Sequence, residues 1–196
     1  MLESLLAWDE ELFLTLNSLG QPWLDQFMVM ISEIWIWVPL YAVILFLFYK
    51  KFPLNQALVF MALCVLTVVI TDQGSVHLFK EVFKRPRPCQ EEHLLTQMRF
   101  AASHCGLYGF ISSHAANTFG FAVLAGGILK EKAPKLPVIL LIWAAVVSYS
   151  RIYLGVHYPL DVIGGAIFGS VIGVFMLKIA NKRLAISNLD PKGERL

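Results

Sequence analysis

From Asn55 to Val76 the chain runs for twenty-two residues with one charged side chain, Asp72. Inside a bilayer every backbone N–H and C=O must be satisfied within the protein, which leaves only helices and closed barrels. A run of about 20 mostly apolar residues is the length of a crossing helix. Four further runs have this character: about Gln26 to Tyr49 (carrying Glu33 and Pro39), Ser113 to Leu129, Leu136 to Tyr149, and Leu160 to Ile179. The expected fold is therefore all-α, an integral membrane bundle of about five transmembrane helices in one domain over residues 1–196. The 15% charged residues, against about 25% in soluble proteins, and the mean hydropathy of +0.64 agree. No repeat, linker or second domain interrupts the pattern.

Ahead of the first run, Leu2, Leu5, Leu6, Trp8, Leu12, Phe13, Leu16 and Leu19 share a helical face on which only Asp9 intrudes, with Glu3, Glu10, Glu11, Asn17 and Ser18 opposite. This predicts an interfacial helix over residues 1–20, ended by Gly20-Gln21-Pro22. Acidic residues there, with no basic one before the first apolar stretch, argue against a cleaved signal peptide. Trp23, Trp35 and Trp37 suggest an aromatic belt. Lys50 and Lys51, then Lys130, Lys132 and Lys135, then Lys178, Lys182 and Arg183 follow alternate spans. The positive-inside rule puts these in the cytoplasm, with a polar cytoplasmic tail at 181–196 and the amino terminus outside. The connection 77–110 then lies outside although it is basic, so a demand for positive charge is expected there.

The outer face gathers three polar clusters: Lys80 to Pro88, Ser112 to His114, and Ser150 to Asp161. Ionisable residues at membrane helix ends are candidate functional sites. Lys80, Arg87 and Arg151 are cations with no matching acids, as a phosphate or diphosphate site requires. Ser112, Ser113 and His114 begin a span, where backbone N–H groups and the helix dipole favour an anion. Asp161, one turn after His157, can hold one imidazole nitrogen protonated and leave the other free to attack.

These clusters resemble the motifs of the type 2 phosphatidic acid phosphatase (PAP2) superfamily, which shares its site with vanadium haloperoxidases. Lys, six residues, Arg-Pro reads Lys80 to Arg87-Pro88. Pro-Ser-Gly-His reads Ile111-Ser112-Ser113-His114, without the proline and glycine. Ser-Arg, five residues, His, three residues, Asp reads Ser150-Arg151, His157 and Asp161. The resemblance implies that His157 is the nucleophile, forming a phosphohistidine, and that Asp161 orients it. His114 would be acid to the leaving oxygen and then base to water. Lys80, Arg87, Ser112, Ser113 and Arg151 would hold the phosphate, with no metal or cofactor. Asp72 is either a second layer behind these cations or a structural pair. The expected enzyme is a metal-independent membrane lipid phosphatase of the bacterial cytoplasmic membrane, with its site at the extracytoplasmic face.

Among its substrates undecaprenyl diphosphate is placed first. Lipid A and phosphatidylglycerophosphate are the alternatives, because residues 89–110 offer little to grip a large sugar head group. A channel or transporter for anions would instead spread charges through the depth of the spans, and a haloperoxidase would hold vanadate on the same residues. The partners are the lipid substrate and the bilayer, with no nucleic acid; oligomeric state is open. Lys84 and Arg85 read as snorkelling side chains, and His77, His93 and His104 as loop or interface residues. Cys89 and Cys105 fall in the outer connection and are expected as free thiols, although an oxidising compartment would permit their pairing. The three cysteines lack metal-ligand spacing.

Overall fold

The computed structural model describes residues 1–184, all of it helix and connections apart from an isolated β-bridge between Pro86 and Tyr108. The helices are α1 (Leu2–Ser18), α2 (Pro22–Ser32), α3 (Val38–Lys51), α4 (Leu54–Phe83), α5 (Ser113–Leu129), α6 (Leu136–Tyr153) and α7 (Pro159–Leu184). Proline in the first turn of α2, α3, α6 and α7 fits, because those N–H groups have no intrahelical partner. Asn181–Leu184 continue α7, so the expected polar tail begins as helix, and its remainder lies outside the described residues.

The expected first span is two helices. Glu33 leaves the helical region (φ −81°, ψ 134°), and a 3-10 turn over Ile34–Trp37 leads into α3. At the break Ser32 is buried, its Oγ accepting from Arg151 and its carbonyl facing His114. Trp23 and Trp35 are exposed as a belt requires, but Trp37 turns inward, donates to the Ile31 carbonyl (2.8 Å) and meets Trp143 edge-on. The second span outruns its expected end by two turns, reaching Phe83 through a π turn over Ser75–Lys80. α6 runs one turn further than expected, to Tyr153.

The core forms where α5 and α7 lie side by side and parallel. Gly165, Gly169 and Gly173, one turn apart, face Ser112, Ala116 and Gly120 in turn. A methyl group on Gly173 would stand 2.7 Å from the Gly120 carbonyl, and one on Gly169 would overlap the Ala116 carbonyl. Small residues let helix backbones meet where lipid gives no hydrophobic drive. Both helices therefore begin at the same end of the bundle. α6 returns the chain to that end, and the outward faces of α3, α4, α6 and α7 expose Val, Ile, Leu and Phe.

α1 sits at that end too, with its expected faces rearranged. Asp9, Phe13 and Asn17, one turn apart, are the buried residues, while Leu2, Leu5, Leu6, Trp8 and Leu19 stay exposed. Asn17 docks the helix. Its amide donates to the carbonyls of Arg99, Ile152 and Tyr153, and its oxygen accepts from Arg99 N–H at 2.7 Å.

Candidate active site

The third polar cluster is set by two local devices. Gly155 takes a left-handed φ of 79° just past α6, which suits glycine, and Pro159 starts α7. Between them His157 is 1% exposed, and Asp161, in the first turn of α7, is fully buried. His157 Nδ1 lies 3.2 Å from Asp161 Oδ2, which also accepts the Tyr158 N–H at 3.0 Å. A carboxylate only accepts, so Nδ1 carries the hydrogen and Nε2 keeps its lone pair. Burial pushes His157 well below 6.5, and the positive charges of Arg87, Arg151 and Lys80 push it further. Burial and these charges thus favour the neutral ring.

Lys80 and Arg87 were expected in one cluster and Arg151 in another, all gathered at one end of the bundle, and the positive charges of all three act on the His157 ring. Lys80 Nζ donates to Ser113 Oγ (2.6 Å), which also pairs with Ser75 Oγ at 2.6 Å. The π turn over Ser75–Lys80 puts an extra residue into the helical turn and so re-aims the side chains at its far end. Arg87 donates through Nε to the Tyr108 carbonyl and lies flat against Gly106. Arg151 donates through Nη1 to Ser32 Oγ. None of the three is in an ion pair among the described residues; Arg85 and Arg99 hold the nearby carboxylates. Ser112 caps α5 and donates its N–H to the Asp161 carbonyl (2.9 Å), fastening the second cluster to the third. His114 sits in the first turn, with Nε2 donating to the Ser32 carbonyl at 3.2 Å.

Three expectations need correction. Arg85 is no snorkelling side chain: Nη1 donates to Asp161 Oδ1 at 3.1 Å and Nη2 to Asp9 Oδ2 at 2.7 Å. Cys89 and Cys105 are joined as a disulfide, their Cα atoms 6.3 Å apart, within the usual span. Material to meet a head group is richer than residues 89–110 alone suggest. Beside His114 and Arg151 opens a cavity of about 270 Å³, and Ser103 and His104 from the connection line it with Glu33 and Trp35 from the turn before α3. Asp72 meets the amide of Asn117 (3.3 Å), whose oxygen accepts from Thr71, and has no direct bond to Lys80. His77 pairs with Glu81 and His93 with Glu10, away from the site.

Sequence reasoning missed Asp9, Arg85, Ser32 and Gly109. Each of the first three carried a signal: Asp9 is the one polar residue on an apolar face, Arg85 precedes a proline beside Arg87, and Ser32 adjoins Glu33 inside an apolar run. Gly109 lies against Asp161, where a methyl group would stand 2.6 Å from Oδ2. Among the described residues no group of three or more His, Cys, Asp or Glu is placed to hold a metal ion.

A buried neutral histidine backed by a carboxylate, ringed by cations at the end of a lipid-embedded bundle, is the equipment of a membrane phosphatase. The sequence pattern of the PAP2 superfamily matches residues 57–185. The chain is 38% identical over 182 residues, 91% of its length and 75% of the relative's, to the lipid A 4'-phosphatase of Porphyromonas gingivalis. It is 34% identical to the lipid A 4'-phosphatase of Bacteroides thetaiotaomicron over 94% of its length and 82% of the relative's. The crystal structure of Aquifex aeolicus LpxE superposes with a TM-score of 0.66 at 27% identity, covering 86% of this chain and 93% of that one. The chain belongs to the PAP2 superfamily, and it is a multi-pass membrane lipid phosphatase.

Proposed function

We propose that the chain removes a phosphate from lipid A at the extracytoplasmic face through a phosphohistidine. The observation that carries the chemistry is His157, with Nδ1 held by Asp161, within the field of three cations that lack acid partners among the described residues. In this reading Nε2 attacks phosphorus while Lys80, Arg87, Arg151, Ser112 and Ser113 hold the phosphoryl oxygens, stabilising charge as it builds. The P–O bond breaks, and His114, entering the step doubly protonated with Nε2–H kept on the Ser32 carbonyl, gives its Nδ1 proton to the leaving sugar oxygen. His114 then takes a proton from water, whose oxygen attacks phosphorus. The N–P bond breaks, its electrons return to Nε2, and inorganic phosphate leaves. Asp161 steadies the positive charge that His157 carries in the intermediate. No step calls for a metal.

Lipid A displaces undecaprenyl diphosphate as first substrate. The Porphyromonas and Bacteroides relatives carry that activity in their names, and the cavity beside His114 suits a sugar. Glu33, Ser103 and His104 offer hydrogen bonds to hydroxyls, and exposed Trp35 offers an aromatic face. The Cys89–Cys105 bond supports an outside position for this end of the bundle, since disulfides persist in oxidising compartments.

The deciding experiment is phosphate release by the detergent-purified protein from lipid A, undecaprenyl diphosphate and phosphatidylglycerophosphate, with EDTA present, beside His157→Ala. The expected result is fastest release from lipid A, unaffected by EDTA and abolished in the variant. Faster release from undecaprenyl diphosphate would overturn the substrate, and an active variant would overturn the nucleophile.

A further inference from the structure

α1 lies outside the residues that match the family pattern, yet it delivers a carboxylate to the site. Asp9 is fully buried. A buried charge is costly unless it is paired and hydrogen-bonded, and Asp9 is both. Oδ1 accepts the Leu160 N–H (2.9 Å) in the first turn of α7, and Oδ2 accepts Arg85 Nη2 at 2.7 Å. The other arm of the same guanidinium reaches Asp161 Oδ1 at 3.1 Å. Asp161 Oδ2 then faces His157 Nδ1. The guanidinium lies 4.0 Å over the Tyr158 ring, and Phe13 of α1 meets that ring edge-on from a centroid distance of 5.4 Å. One unbroken chain of hydrogen bonds therefore runs from the amino-terminal helix to the nucleophile.

Resting on the phosphohistidine reading, we propose that Asp9 and Arg85 are positioning residues for His157. Arg85 fixes the Asp161 carboxylate so that Oδ2 presents to the ring, and Asp9 fixes Arg85. The fork geometry matters: a planar guanidinium can bridge two carboxylates, where an ammonium supplies a single point charge. Asp9 has a second effect. Arg85 stands two residues from Arg87, close enough to compete for the phosphate, and Asp9 holds it behind the catalytic carboxylate. The site thereby keeps three cations facing the anion, with a fourth committed to orientation.

The test uses full-length protein in detergent micelles, with whichever of lipid A and undecaprenyl diphosphate the wild type turns over faster. Asp9→Asn and Arg85→Met should each lower kcat about 10- to 100-fold, leaving KM within about twofold. Asp9→Glu should recover part of the loss. The double variant Asp9→Asn/Arg85→Met should be no slower than Arg85→Met, because the two act in series. Melting temperatures of all variants are measured alongside. If Asp9→Asn does not fold, Arg85→Lys, which keeps the charge and loses the fork, should show the same fall in kcat. Wild-type kcat in Asp9→Asn or Arg85→Lys would overturn the proposal, as would a loss confined to KM or losses that multiply in the double variant. His157→Ala runs in parallel: activity in that variant sinks the nucleophile assignment, whereas its silence together with an unaffected Asp9→Asn sinks only the positioning role.

Discussion

At the scale of single residues the proposed mechanism depends on two conditions, a neutral His157 and a close approach of Asp161. The first has a pH signature. Burial and the charges of Arg87, Arg151 and Lys80 hold His157 neutral well below 6.5; Asp161 and His114 also adjoin it. The acid limb of kcat/KM, read from phosphate release between pH 4 and 8 (a window set about the ordinary histidine value), is expected below 6.5. Stability depends on the same group. Above about 6.5 neither the folded nor the unfolded ring binds the proton, so this contribution is fully present. As pH falls below that value the unfolded chain takes up the proton first, and stability drops until the folded value is passed. The second condition tests Gly109. Gly109→Ala places a methyl group against Asp161 Oδ2, and a displaced carboxylate is expected to lower kcat by at least about 10-fold, with little change in KM. The motif residues were legible because their types and spacings resemble the pattern of the PAP2 superfamily. Gly109 was not, because its importance lies in the absence of a side chain next to a residue fifty-two positions away.

At the scale of elements, helix existence was legible and helix ends were not. Apolar runs identify spans, but the π turn before Lys80 and the Glu33 break before α3 coincide with tertiary hydrogen bonds of Ser75 and Ser32 that no local pattern announces. The α5–α7 contact is the most exacting of these packings. Gly169→Leu should drive a side chain into the Ala116 backbone and prevent close approach. Its expected outcome is a melting temperature lower by at least several degrees, or no folded protein, measured by scanning calorimetry or tryptophan fluorescence. In the connection, the disulfide closes a loop whose ends are 16 residues apart, worth about 3 kcal/mol by the chain-entropy account. The loop returns the chain to Leu107 and Tyr108, whose carbonyls accept from the Arg87 backbone N–H and Nε. Cys89→Ser is therefore expected to lower the melting temperature and, with Arg87 holding the phosphate as proposed, to raise KM; both are checked against wild type in dithiothreitol.

For the whole molecule, the parallel pair α5 and α7 explains why clusters far apart in sequence meet: both helices begin at one end, and α6 and α4 return to it. That much came from counting spans. The part played by α1 did not, because an amphipathic helix with one acid on its apolar face reads as a surface element until Arg85 is seen to receive that acid. Orientation in the bilayer is a matter for experiment. A tag before Met1 should be reached by an impermeant reagent from outside intact cells, and one after Leu196 should not; the reverse pattern would put the site in the cytoplasm.

The Cys89–Cys105 bond also says something about how the molecule comes into being. Every other contact in the site forms as the chain settles into place. This one requires two electrons and two protons to leave for an oxidant. A chain with every helix in position but both thiols reduced is therefore still unfinished, and an oxidant is needed to close its covalent link.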